Sequence, residues 1–382
     1  MLGGPIAAVF AAKCQHLDIT VVDRDKQRIR QWNALEPPIH EPEIREILER
    51  HLGRNLRFTT DFDQAIARAD MIFIAVNTPP KPVSSGSPYQ DIDTSFVEQC
   101  VYDILSATRN TSGHKTIVQK STVPCRTAQR IREIIDSSGV SLGAVRFDVL
   151  SNPEFLSEGT SIHNLSHPDR VLIGCDKTSS GLKAQEALAQ LYANWVPKEK
   201  IITTDLWSSE LAKLASNAML AQRISTINSL SAVCEKLGSD VVDIAKACGA
   251  DRRIGASYLN ASIGFGGSCL EKDIMSLIWL CHGLDLPEVA EYWTQVLNIN
   301  SYQGRRCTQM VADVLGGCIS DKKLACLGYS FKKNTGDVRN SPAIAICGRL
   351  VEWGASLAIY DPMADPNEVM ASLARYGSAS GE

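Results

Sequence analysis

The sequence predicts an α/β protein with a doubly wound first domain, an all-helical middle and part of a second α/β domain. Three observations carry this prediction. Short apolar runs alternate with helical stretches through the first half, the pattern of a parallel sheet covered by helices. From Trp207 the chain turns alanine-rich and helical, and from Lys323 a strand–helix–strand pattern returns. The expected boundaries are 1–205, 206–315 and 316–382.

The opening residues are apolar but lack a basic n-region and are followed by a strand-like segment, so they read as a helix rather than a signal peptide. Leu17 to Asp23 is an apolar strand ending in an acid, twenty positions after Gly3. That is the spacing from a dinucleotide-binding glycine turn to the acid that binds the adenosine ribose. The sheet is therefore expected to be Rossmann-like, with NAD preferred over NADP because Asp23 repels a 2′-phosphate. Asp70 to Val76 and Lys115 to Lys120 are further strands, with Ser95 to Ala107 a helix between them. Asn77-Thr78-Pro79 and Ser121-Thr122-Val123-Pro124 follow those strands. Ligands bind outside the carboxyl ends of such strands. Phe147 to Leu150 leads into Ser151-Asn152-Pro153-Glu154-Phe155-Leu156-Ser157-Glu158-Gly159, with two carboxylates four apart. Arg170 to Gly174, a helix from about Lys183 and a strand near Thr203 complete the sheet.

Trp207 to Leu237 reads as one long helix, with Leu211, Leu214, Ala215, Ala218 and Met219 as its apolar stripe. Lys213 and Asn217 share a face four residues apart. Downstream, Gly264-Phe265-Gly266-Gly267-Ser268-Cys269-Leu270-Glu271-Lys272-Asp273 combines a glycine-rich approach with a thiol and carboxylates. Ser268 and Glu271 have capping-box spacing. Cys269 is then expected in a first helical turn, where free N–H groups and the dipole favour a thiolate. Asp273 falls on the same face as the sulfur.

The third region is expected to hold a strand at Lys323–Gly328, a helix from Pro342 to Trp353 and a strand at Ser356–Asp361, before polar sequence to the end. Phe331, Lys332, Lys333 and Arg339 in the intervening loop suit a phosphorylated ligand and a flat base. The net charge of −4 gives no reason to expect nucleic acid or a membrane as partner. The twelve cysteines show no Cys-x-x-Cys spacing, which fits reduced thiols in a cytoplasmic protein. No metal is expected, and His163 and His167 read as loop residues before Pro168.

Taken together, Asn-Thr-Pro, Lys-Ser-Thr-Val-Pro, Ser-Asn-Pro-Glu-Phe-Leu-x-Glu-Gly-Thr, Trp-Ser-Ser-Glu-Leu-x-Lys-Leu-x-x-Asn, Gly-Phe-Gly-Gly-Ser-Cys and Phe-Lys-Lys-x-Thr-Gly-Asp-x-Arg, in this order, resemble the UDP-glucose dehydrogenase family of nucleotide-sugar dehydrogenases, in its eukaryotic branch. The resemblance implies a four-electron oxidation of UDP-glucose to UDP-glucuronate with two NAD+. It makes Cys269 the nucleophile of a thiohemiacetal and then a thioester. Lys213 and Asn217 would stabilise oxyanion-like species, Asp273 would assist proton transfer, and Glu154 and Thr122 would position or activate water. Gly3, Asp23, Arg28, the loop from Val76 through Asn77 and Thr78 to Pro80, Ser121, Thr122, Glu158 and Arg339 would line NAD+. Glu154, Phe155, Leu156, Lys213, Asn217, Arg253, Asn260 through Phe265 and Gly266, Phe331 and Lys332 would hold the UDP-sugar. A homo-oligomer through the central helical domain and a UDP-binding role for the last domain are also implied.

The family opens with a strand and Gly-x-Gly-x-x-Gly, of which this sequence holds the last glycine as Gly3, and it closes with a full UDP-binding domain. The chain is therefore expected to be truncated at both ends and to show little or no dehydrogenase activity as written. Glu271 places a negative charge beside the nucleophile where relatives commonly have a neutral residue, and Asn260 stands where animal relatives have a lysine. The alternatives are a catalytically impaired fragment or pseudoenzyme, or a dehydrogenase of GDP-mannose or UDP-N-acetylmannosamine.

Overall fold

The computed structural model describes residues 3–39, 41–81, 91–139, 145–156 and 158–379. Met1, Leu2 and the Ser157 of the carboxylate motif lie outside them. The chain divides into two compact units: Met1–Lys81 with Ile92–Lys213, and Pro82–Asp91 with Leu214–Glu382.

The first unit begins with helix α1 (Gly3–Lys13), strand β1 (Ile19–Val22), helices α2 (Lys26–Asn33) and α3 (Ile44–His51), and strand β2 (Leu56–Thr59). Helix α4 (Phe62–Arg68), strand β3 (Met71–Ile74), helix α5 (Ser95–Ala107), strand β4 (Gly113–Gln119) and helix α6 (Thr127–Ser137) follow. Strand β5 (Val145–Ser151), helix α7 (Ser161–Ser166), strand β6 (Val171–Cys175), helix α8 (Ser179–Tyr192) and strand β7 (Ile201–Asp205) complete the α/β pattern. Among the described residues β1 and β2 form one parallel pair, and a second sheet runs β3-β4-β5-β6-β7.

Alternation along the central strands makes this sheet two-sided. Ile117 and Val149 join the cluster that packs α5 and α6, while their neighbours Val118 and Leu150 join the one that packs α1 and α8. Successive strand residues point to opposite faces, so both faces are buried and helices cover each. Phe10 of α1 anchors one face, with its ring centroid 5.4 Å from those of Phe73, Tyr192 and Trp195.

The expected doubly wound sheet is present, with corrections. It is not wholly parallel, because β6 pairs antiparallel with β5 through Leu150–Cys175 and Ser151–Gly174. Strand β2 carries no expectation above; its run Leu-Arg-Phe-Thr is short and half-polar, and Leu56 and Phe58 are buried by tertiary packing. His163 lies inside α7, so its reading as a loop residue is wrong, whereas His167 follows the helix as its C-cap.

Helix α9 (Leu206–Leu237) carries the boundary between the units. The second unit continues with helices α10 (Val241–Gly249), α11 (Leu270–Gly283) and α12 (Pro287–Val314). Strand β8 (Lys323–Leu327), helix α13 (Pro342–Glu352), strand β9 (Ser356–Tyr360) and helix α14 (Pro366–Ala379) follow. Its helical core joins Ala218, Ala221, Phe265, Ile274, Leu277 and Ile278. The stripe expected on α9 is partly wrong: Leu214 and Ala218 are buried, but Leu211 and Met219 are exposed. Strands β8 and β9 pair in parallel. The closing segment is a helix, α14, rather than structureless polar sequence, and its Val369 and Leu373 pack on the β8–β9 layer. Among the described residues no helix is long and apolar enough to cross a membrane.

Candidate active site

In the first unit the expected cofactor residues gather at the carboxyl ends of strands. Asp23 follows β1 and accepts hydrogen bonds from Arg28 Nη1 at 2.7 Å and the Asp25 N–H at 3.0 Å. Asp25 in turn caps α2 by accepting from the Gln27 and Arg28 N–H groups. The sequence thus folds Arg28 back onto Asp23. Arg24 pairs instead with Asp103 of α5, which draws its charge away from Asp23.

The loops after β3 and β4 are tied to each other. Ser121 Oγ donates to the Val76 carbonyl at 2.7 Å, and Thr78 Oγ1 donates to the Thr122 carbonyl at 2.7 Å. Asn77, between them, is exposed. A Cβ added to Gly3 would stand 3.8 Å from that of Ala75, which puts the first turn of α1 beside the end of β3.

Two buried carboxylates that sequence reading missed hold these segments. Glu210 of α9 accepts the Arg126 N–H at 2.6 Å and the Ala128 N–H at 2.7 Å. It replaces a side-chain cap at α6, where Arg126 has φ 76° and offers none. Burial pushes the Glu210 carboxyl up to about 7, against the pull of those two bonds. Glu41 accepts from the Gly159 and Ser161 N–H groups and the Ser161 hydroxyl, fixing the start of α7 just past the exposed Glu158. Glu210 had a signal, since it belongs to the Trp-Ser-Ser-Glu segment; Glu41 had none.

Glu154 and Phe155 follow β5. Glu154 is buried and accepts the Leu156 N–H at 2.6 Å. The Phe155 ring lies 3.8 Å from the Arg170 guanidinium and 5.3 Å from the buried Lys213 ammonium, both cation–π contacts.

The thiol belongs to the second unit. Cys269 is exposed and is itself the N-cap of α11. This corrects the expected capping box: Ser268 makes no cap bond and Cys269 is not in the first turn. Glu271 turns instead to Asn340, whose Nδ2 donates to it at 3.1 Å. Burial raises the Glu271 carboxyl, with that bond opposing, so its charge beside the thiol is disfavoured. The Asp273 N–H donates to the Cys269 carbonyl at 3.0 Å, one helical turn on as the spacing predicts. Asp273 is buried and accepts from Asn217 Nδ2 at 2.6 Å and Lys272 Nζ at 2.7 Å.

The glycines are explained by close approach. A Cβ on Gly266 would sit 2.2 Å from the Asn340 carbonyl oxygen, and one on Gly267 2.8 Å from the Phe331 ring, with Gly267 at φ 84°. The Gly267 N–H donates to the Arg339 carbonyl at 3.1 Å. Asn300 grips Phe265 both ways, accepting its N–H at 2.8 Å and donating to its carbonyl at 3.0 Å. The loop at Phe331 to Arg339 is therefore brought to the thiol segment. Arg339 and Arg253 each form a fork with a carboxylate two residues back, Asp337 and Asp251. Asn260 is exposed, and Lys332 Nζ lies 5.7 Å from the Phe331 ring.

A nucleotide-binding α/β unit and a helix-borne thiol define the class as a dehydrogenase, and comparison with known proteins names the family. Residues 1–196 match the NAD binding domain of the UDP-glucose/GDP-mannose dehydrogenase family, 207–302 its central domain and 325–380 its UDP binding domain. UDP-glucose 6-dehydrogenase of Mus musculus is 48% identical over 381 residues, 100% of this chain and 76% of the mouse protein. That of Drosophila melanogaster is 49% identical over 372 residues, covering 97% and 77%. A solved UDP-glucose dehydrogenase from the archaeon Pyrobaculum islandicum superposes with TM-score 0.87 at 32% identity, covering 97% of this chain and 82% of that one. The chain belongs to the UDP-glucose/GDP-mannose dehydrogenase family.

NAD is the cofactor of this family domain. The first unit fits it: an acid ends β1, small hydroxyl residues line the ends of β3 and β4, and α1 opens on glycine beside β3.

Proposed function

We propose that the chain oxidises the hydroxymethyl carbon of UDP-glucose to a carboxylate, yielding UDP-glucuronate. The observation that carries this is an exposed Cys269 at the head of α11, one turn from an Asp273 that Asn217 and Lys272 hold in place. A thiol brings an aldehyde carbon to the acid level through an acyl step.

NAD+, when bound by the first unit, would supply the hydride acceptor for each of the two oxidations. After the first, Cys269 Sγ adds to the aldehyde carbon and a proton reaches its oxygen, giving a thiohemiacetal. Loss of the second hydride leaves a thioester. Water then adds to the carbonyl carbon, the C–S bond breaks, and the sulfur leaves with its electron pair. Lys213 and Asn217 stabilise the oxyanion stages, Asp273 handles the proton of the thiol addition, and Glu154 with Thr122 positions the water. Gly3, Asp23, Arg28, Val76 to Pro80, Ser121, Glu158 and Arg339 hold the cofactor. Arg253, Asn260 to Gly266, Phe331 and Lys332 hold the nucleotide sugar.

The free thiols support a reducing, cytoplasmic setting for UDP-glucuronate formation. Exposed apolar residues of α9 and α10, among them Val233, Leu237 and Val242, support self-association through the helical region. Sedimentation of the chain as a monomer at working concentration would remove that part of the proposal.

The test is NADH formation by the full chain with UDP-glucose, GDP-mannose and UDP-N-acetylmannosamine in turn. The same assay tests the expected lack of activity; where the chain turns over, UDP-glucose is expected to be the fastest substrate. Binding of UDP-glucose with no NADH formed would favour a pseudoenzyme, whereas the presence of Cys269, Lys213, Asp273 and Glu154 favours the enzyme.

A further inference from the structure

Lys120, directly after β4, is 4% exposed, and a lysine is almost never fully buried without a partner. Its Nζ donates to Asn152 Oδ1 at 3.0 Å and to the Tyr192 hydroxyl at 3.3 Å. That hydroxyl donates onward to the same Asn152 oxygen at 2.7 Å, and Asn152 Nδ2 donates to the Leu172 carbonyl at 2.8 Å. The directions are consistent with a buried ammonium: the lysine gives protons and two neutral oxygens receive them. Asn152 stands two residues before Glu154. Lys120, Asn152, Glu154, Phe155, Arg170 and Tyr192 line a common cavity of about 70 Å³, room enough for ordered water between polar walls.

We propose that Lys120 is a positioning residue of the oxidation: its buried ammonium holds Asn152 and Tyr192, and through Asn152 it fixes the segment that presents Glu154 to this cavity. The inference rests on the role given to Glu154 above. No step moves a covalent bond to Lys120; it acts through its hydrogen bonds to Asn152 and Tyr192. A buried cation is costly to keep without partners, and the Glu154 charge favours the ammonium form of Lys120. Burial lowers the Lys120 ammonium to about 8; the Glu154 charge opposes that shift and Lys213 adds to it. The Tyr192 hydroxyl faces the same amine, and Asp169 and Arg170 complete the charged groups on the cavity wall. Loss of the Lys120 proton on the alkaline side therefore weakens the charge-assisted bonds that hold Asn152 and Tyr192.

The experiment measures kcat and KM from about pH 6 to pH 9.5 for the full chain, Lys120→Met, Lys120→Arg, Glu154→Gln and the Lys120→Met/Glu154→Gln double variant. The wild type is expected to lose kcat with an alkaline limb near the pH where Lys120 titrates. Lys120→Met should lower kcat roughly ten- to hundredfold, the scale of a misplaced reacting group, with KM for both substrates within about twofold. The double variant should be no slower than Glu154→Gln, and Lys120→Arg should move the limb upward while keeping most of the rate. A wild-type kcat and unchanged limb in Lys120→Met, or additive losses in the double variant, would overturn the proposal. If Lys120→Met does not fold, Lys120→Arg decides, and an unmoved limb counts against it. Glu154→Gln at full rate would instead remove the role of Glu154 itself, which separates the two failures.

Discussion

Replacing Gly266 by alanine should damage the second unit more than any other single-methyl change in the thiol segment. The added Cβ would lie 2.2 Å from the Asn340 carbonyl oxygen and 2.8 Å from Pro342 Cδ. Carbon and oxygen approach to about 3.3 Å even in weak hydrogen bonds, so one backbone must retreat by roughly 1 Å. Overpacking of this kind costs about 1–3 kcal/mol. Retreat also strains the Gly267 N–H bond to Arg339 and the Asn340 bond to Glu271, each contributing about 1 kcal/mol. A total of about 3–5 kcal/mol lowers the melting temperature of a unit of this size by roughly 6–20 °C. Gly304 is the control: it lies within α12 and a Cβ there meets nothing within 4 Å. Gly304→Ala should gain up to about 1 kcal/mol from helix propensity. Thermal melting by circular dichroism, with NADH formation alongside, reads both. Gly266→Ala melting within about 2 °C of the wild type at full activity would refute the close-approach reasoning.

Other outcomes follow from the same geometry. Limiting iodoacetamide should label Cys269 ahead of the other exposed thiols, Cys248 and Cys318, and UDP-glucose should protect it; peptide mapping that finds either of the others first would contradict the assignment. Asp23 should favour NAD+ over NADP+, and Asp23→Ser should raise use of NADP+ about tenfold or more; equal use of both cofactors by the wild type would sink this. The folded-state Glu210 carboxyl, near 7 against an ordinary 4.5, binds its proton more tightly than in the unfolded chain. Its stabilising contribution is thus complete below pH 4.5 and lost as pH rises through 7, on the order of 3 kcal/mol. Melting curves of Glu210→Gln should show a flatter fall between those limits, and parallel pH profiles for the two proteins would contradict the burial argument.

Sequence patterning carried the alternating half well because both sheet faces are buried, and Ile117-Val118 and Val149-Leu150 announce that directly. It lost β2 because a four-residue edge strand with an arginine has little periodicity of its own. The antiparallel turn of β6 is a tertiary choice that no local residue marks. At the thiol, the glycines, Cys269 and Asp273 were legible from spacing, but the cap was not. Ser268 and Glu271 have the right separation, yet Asn340, distant in sequence, takes the carboxylate. The roles of Lys120, Glu41, Glu210 and Asn300 escaped notice for the same reason. Their roles come from partners up to 120 residues away, such as Ser161 for Glu41, and single-sequence spacing does not register such pairs.

The covalent route through Cys269 is tested most directly by quenching the full chain during turnover with NAD+ and UDP-glucose. Peptide mass mapping then locates any sugar-nucleotide adduct, and NADH formed per UDP-glucose consumed is counted in the same sample. The expected result is an adduct on the peptide bearing Cys269, two NADH per sugar, and no UDP-glucuronate released by Cys269→Ser. Two NADH per sugar from Cys269→Ser, with an unmodified Cys269 peptide in the wild type, would contradict it.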